Sequence, residues 1–107
     1  MRKYLQKIVP AFLNGSDFEQ SATCSVRNGT FYSYATPIAV RRREGHRVVV
    51  YITEDKFSAT TSGQQNAIKQ LASNWRVVPQ TTILKMEREE HLKALELNWT
   101  KLATAQG

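Results

Sequence analysis

The chain has 107 residues, 41% of them hydrophobic, which is enough for one compact core and too much for a disordered segment. Fifteen Lys and Arg against nine Asp and Glu give a net charge of +6, which favours polyanionic partners such as nucleic acid or an acidic protein surface. One cysteine excludes an internal disulfide, and no apolar run is long enough to cross a membrane, so we expect a single cytoplasmic domain over residues 1–107.

The first segment, residues 3–13, is compatible with two conformations. Its apolar residues are spaced as in a helix, at Tyr4, Leu5, Ile8 and Val9. Pro10 limits any helix, however, and suits an edge strand equally well. Polar residues also interrupt the continuous apolar stretch that a secretion signal requires. The sequence therefore leaves the conformation of residues 1–20 open and gives no reason to expect secretion.

A β-hairpin is predicted next. Residues 21–27 alternate small or apolar with polar side chains and end at Asn28-Gly29, a dipeptide that tolerates the positive φ of a tight turn. Residues 30–42 form the second arm, in which Pro37 predicts a bulge or an edge position. After a turn at residues 44–46, a strand is predicted over residues 47–53, where three consecutive valines indicate a central position in the sheet.

Helices are predicted mainly in the second half of the chain. Ser62 with Gln65 three residues later forms a capping box, which predicts a helix that starts at Gly63. Residues 75–78 suit a short strand, and residues 82–103 carry apolar side chains at intervals of three and four that predict a long helix. We therefore expect an α+β fold, with a small antiparallel sheet of three to four strands, one short helix and one long C-terminal helix.

Five basic residues beside the turn at residues 44–46 form the main candidate site, Arg41, Arg42, Arg43, His46 and Arg47. Their side chains can converge on one anionic partner, such as a phosphate backbone. The alternative is a solvated hairpin tip whose charge deters edge-to-edge aggregation, and alternation along the strands would divide these residues between two faces.

Two further pairs of residues are candidates for partner binding. Tyr32 and Tyr34 lie on a predicted strand near the arginines, where they can stack on nucleic-acid bases, although alternation turns half of the aromatic rings in this region into the core. Gln64 and Asn66 follow the predicted helix start as exposed amides that can contact a partner. Free backbone N–H groups in this polar segment suit an anion, but the capping box uses two of them and P-loop spacing is absent.

A catalytic role has little support in the sequence. His46 and His91 are the only histidines and Cys24 is the only thiol, and no pattern pairs them as nucleophile and base. A small metal-free ribonuclease is the remaining catalytic hypothesis, with His46 as general base and Arg42 or Arg47 stabilising the phosphorane charge. Zinc-ligand spacing is absent, and no cofactor is expected.

Two segments within residues 28–68, NGTFYSYATPIAVRR and KFSATTSGQQNAI, resemble small uncharacterised domains of phages and related mobile elements. In that family a tyrosine-containing strand and a T-x-I-A step precede a helix entry of the form Y/F-S-x-T-T-S-x-x-Q/H-N. Gln65 stands where histidine is often found, and Pro37 interrupts the strand step. The resemblance implies no activity; it implies a short cytoplasmic protein made during phage infection, such as a DNA-associated accessory factor or an inhibitor of a host system.

The function we expect is non-enzymatic binding of nucleic acid or a nucleoprotein complex through the basic hairpin. A protein–protein inhibitor of a host defence complex, of the anti-CRISPR type, is the alternative. The long helix bears on the oligomeric state because it carries an apolar stripe at Leu92, Leu95, Trp99 and Leu102. That stripe either packs on the sheet or pairs with a second copy to form a homodimer.

Overall fold

The computed structural model describes residues 2–21 and 23–106 of the chain. Its elements are, in order, α1 (Lys3–Leu13), β1 (Phe18–Ser21), β2 (Cys24–Arg27), β3 (Thr30–Ser33), β4 (Thr36–Glu44), β5 (Arg47–Thr53), α2 (Ala59–Leu71), β6 (Trp75–Val78) and α3 (Gln80–Gln106). Within these described residues, no helix combines the length and the apolar character needed to cross a bilayer.

The six strands lie side by side in chain order, from β1 to β6. Neighbouring strands from β1 to β5 are antiparallel, whereas β6 is parallel to β5. The parallel pair arises because α2 carries the chain back to the starting end of β5 before β6 begins. The predicted small antiparallel sheet with two helices is therefore wrong, and the fold is α+β with a six-stranded mixed sheet and three helices.

The predicted second arm, residues 30–42, is in fact parts of two strands. A turn at Tyr34 separates β3 from β4, and Tyr34 adopts a left-handed conformation with φ of 57°. Such a backbone is uncommon for residues other than glycine and asparagine, so the sequence carried no turn signal at this position. The predicted irregularity at Pro37 is confirmed, because the pairing of β3 with β4 shifts register just before the Tyr32–Pro37 pair.

The ambiguous N-terminal segment is a helix, α1. Four of its side chains, Leu5, Ile8, Val9 and Phe12, are buried on one face, at the spacing of an amphipathic helix. Pro10 lies inside the helix without ending it, and three further residues follow it. Burial of Phe12 beyond the proline helps to offset the backbone hydrogen bond that Pro10 cannot donate.

Helix α2 begins one turn earlier than predicted. Ser58 is its N-cap, and the Ser58 side-chain oxygen accepts a hydrogen bond of 3.2 Å from the backbone N–H of Thr61. The capping box predicted for Ser62 and Gln65 is therefore wrong. Gln65 is buried instead, and its Nε2 donates to the carbonyl oxygens of Thr53 and Asp55 at 3.3 and 3.0 Å.

The sheet buries apolar side chains on both faces, but unequally. On the face covered by α1 and α2 the core consists of Leu5, Ile8, Val9, Phe12, Cys24, Val26, Phe31, Ile38, Ala39, Val50, Ile52, Ala67 and Ile68. On the opposite face, the buried residues among the described side chains of α3 are Ile83 and Met86, which pack with Val40 of β4. Because this apolar contact is small, polar interactions must supply much of what holds α3 on the sheet.

Candidate polyanion-binding surface

The candidate site lies at the end of the β4–β5 hairpin, where Gly45 forms the turn with φ of 64°. Successive side chains of a strand point to opposite faces. Arg41 accordingly lies on the side of α1, where it contacts Leu13, whereas Arg42 lies on the side of α3, where it contacts two glutamates. The five predicted basic residues therefore divide between the two faces of the hairpin.

Arg41 is half-buried against the loop that follows α1. Its Nε donates a hydrogen bond of 2.9 Å to the carbonyl oxygen of Leu13. The guanidinium lies over Gly15, where an added Cβ would come within 2.9 Å of Nη1. Gly15 also has φ of 80°, so glycine is required there both by the backbone and by the approach of the arginine. Arg41 thus joins α1 to the sheet.

Arg42 forms an ionic clamp with α3. Its Nη2 lies 2.7 Å from Glu89 Oε2 and its Nε lies 3.0 Å from Glu90 Oε1. The hydrogen bond from Arg42 holds the pKa of the Glu89 carboxyl below its ordinary value. With its charge already matched by two carboxylates, Arg42 serves mainly to hold α3 on the sheet.

The other three predicted basic residues, Arg43, His46 and Arg47, are exposed. Within the described part of the chain their side chains make no hydrogen bond or ion pair. Neither Arg43 nor Arg47 forms an ion pair within the described residues, although Glu44 is the cross-strand neighbour of Arg47. These three residues, which we call the hairpin tip, are free to meet an external anion.

A cleft beside the hairpin tip gathers further cations. It has a volume of about 410 Å³, and its charged lining consists of Arg41, Arg42, Arg43 and Lys93 together with Asp17 and Glu90. Arg42 is paired with Glu89 and Glu90, and Lys93 Nζ lies 3.4 Å from Glu90 Oε1, so Arg41 and Arg43 carry the unmatched positive charge of the cleft. Asp17 is already engaged, because its Oδ1 accepts a hydrogen bond of 3.0 Å from the backbone N–H of Asn28. We call this site the basic cleft; it is contiguous with the tip through Arg43.

Lys93 and Asp17 were not among the predicted site residues. Lys93 belongs to the basic cleft because the clamp between Arg42 and α3 brings that part of the helix to the hairpin. Asp17 lies next to Asn28 through the loop that follows α1. Both placements depend on contacts between distant parts of the chain, so local sequence patterns carried no signal for them.

Tyr32, predicted to stack on bases, is half-buried beneath α3. Its hydroxyl donates a hydrogen bond of 2.8 Å to Glu87 Oε1. Burial, together with this bond to a carboxylate, raises the pKa of Tyr32 to about 12. The ring is therefore part of the α3 contact and is not an open stacking platform.

The raised pKa of Tyr32 predicts a loss of stability at alkaline pH. A group whose pKa is higher when folded contributes stability below its ordinary value of 10.0, and loses it as pH rises towards about 12. We expect the difference in free energy of unfolding between wild type and Tyr32→Phe, measured in urea, to shrink as pH rises from 10.0 towards about 12. Tyr34→Phe removes a hydroxyl from an exposed ring and is the control. A difference that stays constant over this range would contradict the assignment.

The remaining predicted site residues lie away from the basic cleft. Tyr34 is exposed, but it sits in the β3–β4 turn, and the nine residues of β4 place that turn about 30 Å from the hairpin tip. Gln64 is fully buried, and its Nε2 lies 3.5 Å from the carbonyl oxygen of Thr23, so the prediction of an exposed amide is wrong for it. Asn66 is exposed and lines a groove of about 560 Å³ between α1 and α2.

The described residues offer little for catalysis or metal binding. Among the residues that the structure describes, none hydrogen-bonds to His46 to fix its ring or its tautomer, as a general base needs. No group of three His, Cys, Asp or Glu side chains in the same residues could hold a metal ion. Cys24 is buried, and burial raises the pKa of its thiol, which makes it a poor nucleophile.

The geometry defines a class of protein, a small basic α+β domain with a charged cleft at one end of its sheet. Comparisons with known proteins add no family, since no family model, no curated protein and no solved structure matches this chain.

Proposed function

We propose that the protein is a non-enzymatic binding protein that engages the phosphate backbone of a nucleic acid, free or within a nucleoprotein complex. The observation that carries this proposal is the hairpin tip, where Arg43, His46 and Arg47 have no partner in the described chain and adjoin the basic cleft. Unmatched cations beside a groove are the electrostatic footprint of polyanion binding.

Direct contacts to phosphate fall to the exposed arginines of the hairpin tip, because Arg41 and Arg42 already hold parts of the fold together. Arg41 and Arg42 are committed to Leu13 and to α3. Arg41 adds a fixed positive charge to the cleft, whereas the charge of Arg42 is already matched by Glu89 and Glu90. Arg43 and Arg47 are free to form direct phosphate contacts, since a guanidinium can bind two phosphate oxygens at once. Contacts of this kind read the backbone and not the base sequence. We therefore expect affinity with weak sequence preference.

The setting we propose is the cytoplasm of a phage-infected cell. It is supported by the resemblance of residues 28–68 to phage domains. A protein inhibitor of a host defence complex would use the same tip against an acidic surface. Binding to free nucleic acid separates these two functions, because an inhibitor of that kind would show little affinity for free DNA or RNA.

The test is fluorescence anisotropy with labelled single- and double-stranded DNA and RNA at about 50 and 200 mM salt, where phosphate-mediated binding weakens steeply. We expect wild type to bind at low salt, and Arg43→Ala/Arg47→Ala to bind more weakly. The logarithm of the binding constant falls linearly with the logarithm of the salt concentration, and each lost duplex phosphate contact should reduce the magnitude of that slope by about 0.9. The slope of the double variant should therefore be smaller than that of wild type by roughly 2.

The matched control is Lys3→Ala/Lys7→Ala, which removes the same charge from two exposed positions of α1. This pair should bind nearly as wild type does. If both double variants weaken binding equally, affinity reflects net charge and the assignment to the tip fails. If wild type does not bind at low salt, the nucleic-acid function itself is wrong and the target is a protein.

A further inference from the structure

Helix α3 presents its apolar stripe to the outside of the molecule. Successive residues of an α-helix are rotated by about 100°, so the side on which each residue lies follows from its number. Ile83, Met86 and Glu90 contact the sheet and define the inner side of α3. Four exposed apolar residues lie nearly opposite and within about 80° of one another. They are Leu84, Leu92, Leu95 and Trp99.

The second half of α3 also projects beyond the sheet. From His91 to Trp99, only Ala94 is partly buried among the side chains. The chain measures 50 by 26 by 25 Å, and a helix of 27 residues accounts for about 40 Å of the long dimension. A projecting helix with so little burial is marginally stable in water, because most helical stability in proteins comes from packing an apolar face.

The exposed surface is larger than a compact monomer needs. The accessible surface of the chain is 7017 Å², whereas a folded monomer of 12.2 kDa exposes about 6,100 Å². The excess of roughly 900 Å² is close to the ~800 Å² that each partner contributes to a standard protein interface. The surplus belongs to the chain as a whole and is large enough for one ordinary interface.

We propose that the stripe of α3, Leu84, Leu92, Leu95 and Trp99, is a homodimer interface in which two α3 helices pack antiparallel. With Leu92 opposite Leu95 of the second copy, the two-fold relation places Arg88 opposite Trp99 of that copy. Arg88 shares the stripe and has no ion pair within the described chain. A guanidinium over an indole ring is a favourable pairing, and Glu96 of the second copy lies within one helical turn of it.

Charge decides between the two orientations of the helices. A parallel pair in the same register would bring Arg88 against Arg88 of the second copy at the centre of the interface, where repulsion between desolvated like charges is costly. The antiparallel pair replaces that repulsion with an attraction on each side of the two-fold axis. The stripe is thus complementary to itself in one orientation only, which identifies the occupant as a second copy of this chain.

Sedimentation velocity across a concentration series tests the dimer. We expect wild type to be dimeric at about 100 µM, and Leu92→Glu/Leu95→Glu to raise the dissociation constant by at least about 100-fold. Both positions are exposed in the single chain, so the variant should keep its fold, which circular dichroism checks. Leu97→Glu is the matched control, because Leu97 is 63% exposed but lies on the inner side of the helix. It should remain dimeric; a monomeric wild type, or a Leu97→Glu variant that dissociates equally, overturns the proposal.

Cysteine cross-linking tests the orientation. In the antiparallel pair, position 88 meets position 99 of the second copy, whereas two copies of position 88 lie about 16 Å apart along the axis, beyond disulfide reach. Mixed Arg88→Cys and Trp99→Cys proteins should form a disulfide-linked dimer, and neither protein should do so alone. The native thiol does not interfere, since Cys24 is buried. Cross-linking of Arg88→Cys with itself would overturn the antiparallel arrangement.

Discussion

Replacing Phe12 by alanine is expected to cost about 3–5 kcal/mol of folding free energy, the range for truncating a fully buried phenylalanine. The Phe12 ring is completely buried and meets the ring of Phe31 edge to face, with centroids 5.6 Å apart. This pair joins α1 to the middle of the sheet, so the truncation leaves a cavity between the two layers. Because the free energy of unfolding of a domain of this size is only about 5–15 kcal/mol, Phe12→Ala would remove a large part of it.

Urea unfolding followed by circular dichroism measures this effect. Phe57→Ala is the matched control, since it makes the same chemical change at an exposed position and should alter stability by no more than about 0.5 kcal/mol. Phe12→Leu, which keeps most of the volume, should lie between the two. If Phe12→Ala were no more destabilising than Phe57→Ala, the packing of α1 described above would be incorrect.

Local chemistry in the sequence was sufficient to predict several elements. The Asn28-Gly29 turn is confirmed, because both residues adopt the positive φ that their side chains tolerate. The valine-rich strand is confirmed as β5, and it lies between β4 and β6. The strand at residues 75–78 and the long final helix are confirmed as β6 and α3. In each case the signal lay within a few adjacent residues.

Other features depended on contacts that no local pattern contains. The turn at Tyr34 has no glycine or asparagine. The N-cap of α2 is Ser58, although Ser62 also had the sequence pattern of a cap. The parallel pairing of β6 is a property of the topology. For α3, the apolar spacing correctly indicated a helix but not which side faces the sheet, because the inner side is held largely by charged and polar residues.

In the candidate site, too, some features followed from local sequence and others depended on contacts between distant residues. Sequence alone placed the five basic residues around one turn, and alternation correctly indicated that they would separate between faces. It did not show which arginines are committed to the fold, because the partners of Arg42 lie 47 and 48 positions further along the chain. Removing Arg41, Arg42 and Arg43 together would therefore confound loss of binding with loss of structure.

Arg42→Ala is the second change with a large expected effect. It leaves Glu89 without its partner arginine and Glu90 with only the exposed Lys93 at 3.4 Å. This loss occurs beside a small apolar contact, in which Ile83 and Met86 are the buried residues among the described side chains of α3. The side chains of Arg42 and Glu90 are 22% and 18% exposed, so the clamp lies between a surface pair and a buried one. We expect a loss of about 2 kcal/mol, between the 0–1 typical of exposed pairs and the 3–5 that follow when a buried pair is broken.

The pH dependence of that loss identifies its cause. Because Arg42 lowers the pKa of Glu89, the contribution of this carboxylate is present above its ordinary value of 4.5 and is lost as pH falls through the lowered pKa. The difference in free energy of unfolding between wild type and Arg42→Ala should therefore narrow below pH 4.5. A difference that does not change there would assign the effect to packing of the arginine stem.

Arg43→Ala is the matched control for Arg42→Ala, since it removes the same charge from the adjacent position of the same strand. Arg43 is exposed and has no partner in the described chain, so its loss should change stability by no more than about 0.5 kcal/mol. The two variants should therefore separate fold from function: Arg42→Ala is less stable, with hydrogen exchange in α3 accelerated, whereas Arg43→Ala is stable and binds nucleic acid more weakly. If Arg43→Ala were instead the destabilised variant, the assignment of Arg42 to the fold and of the hairpin tip to binding would both be wrong.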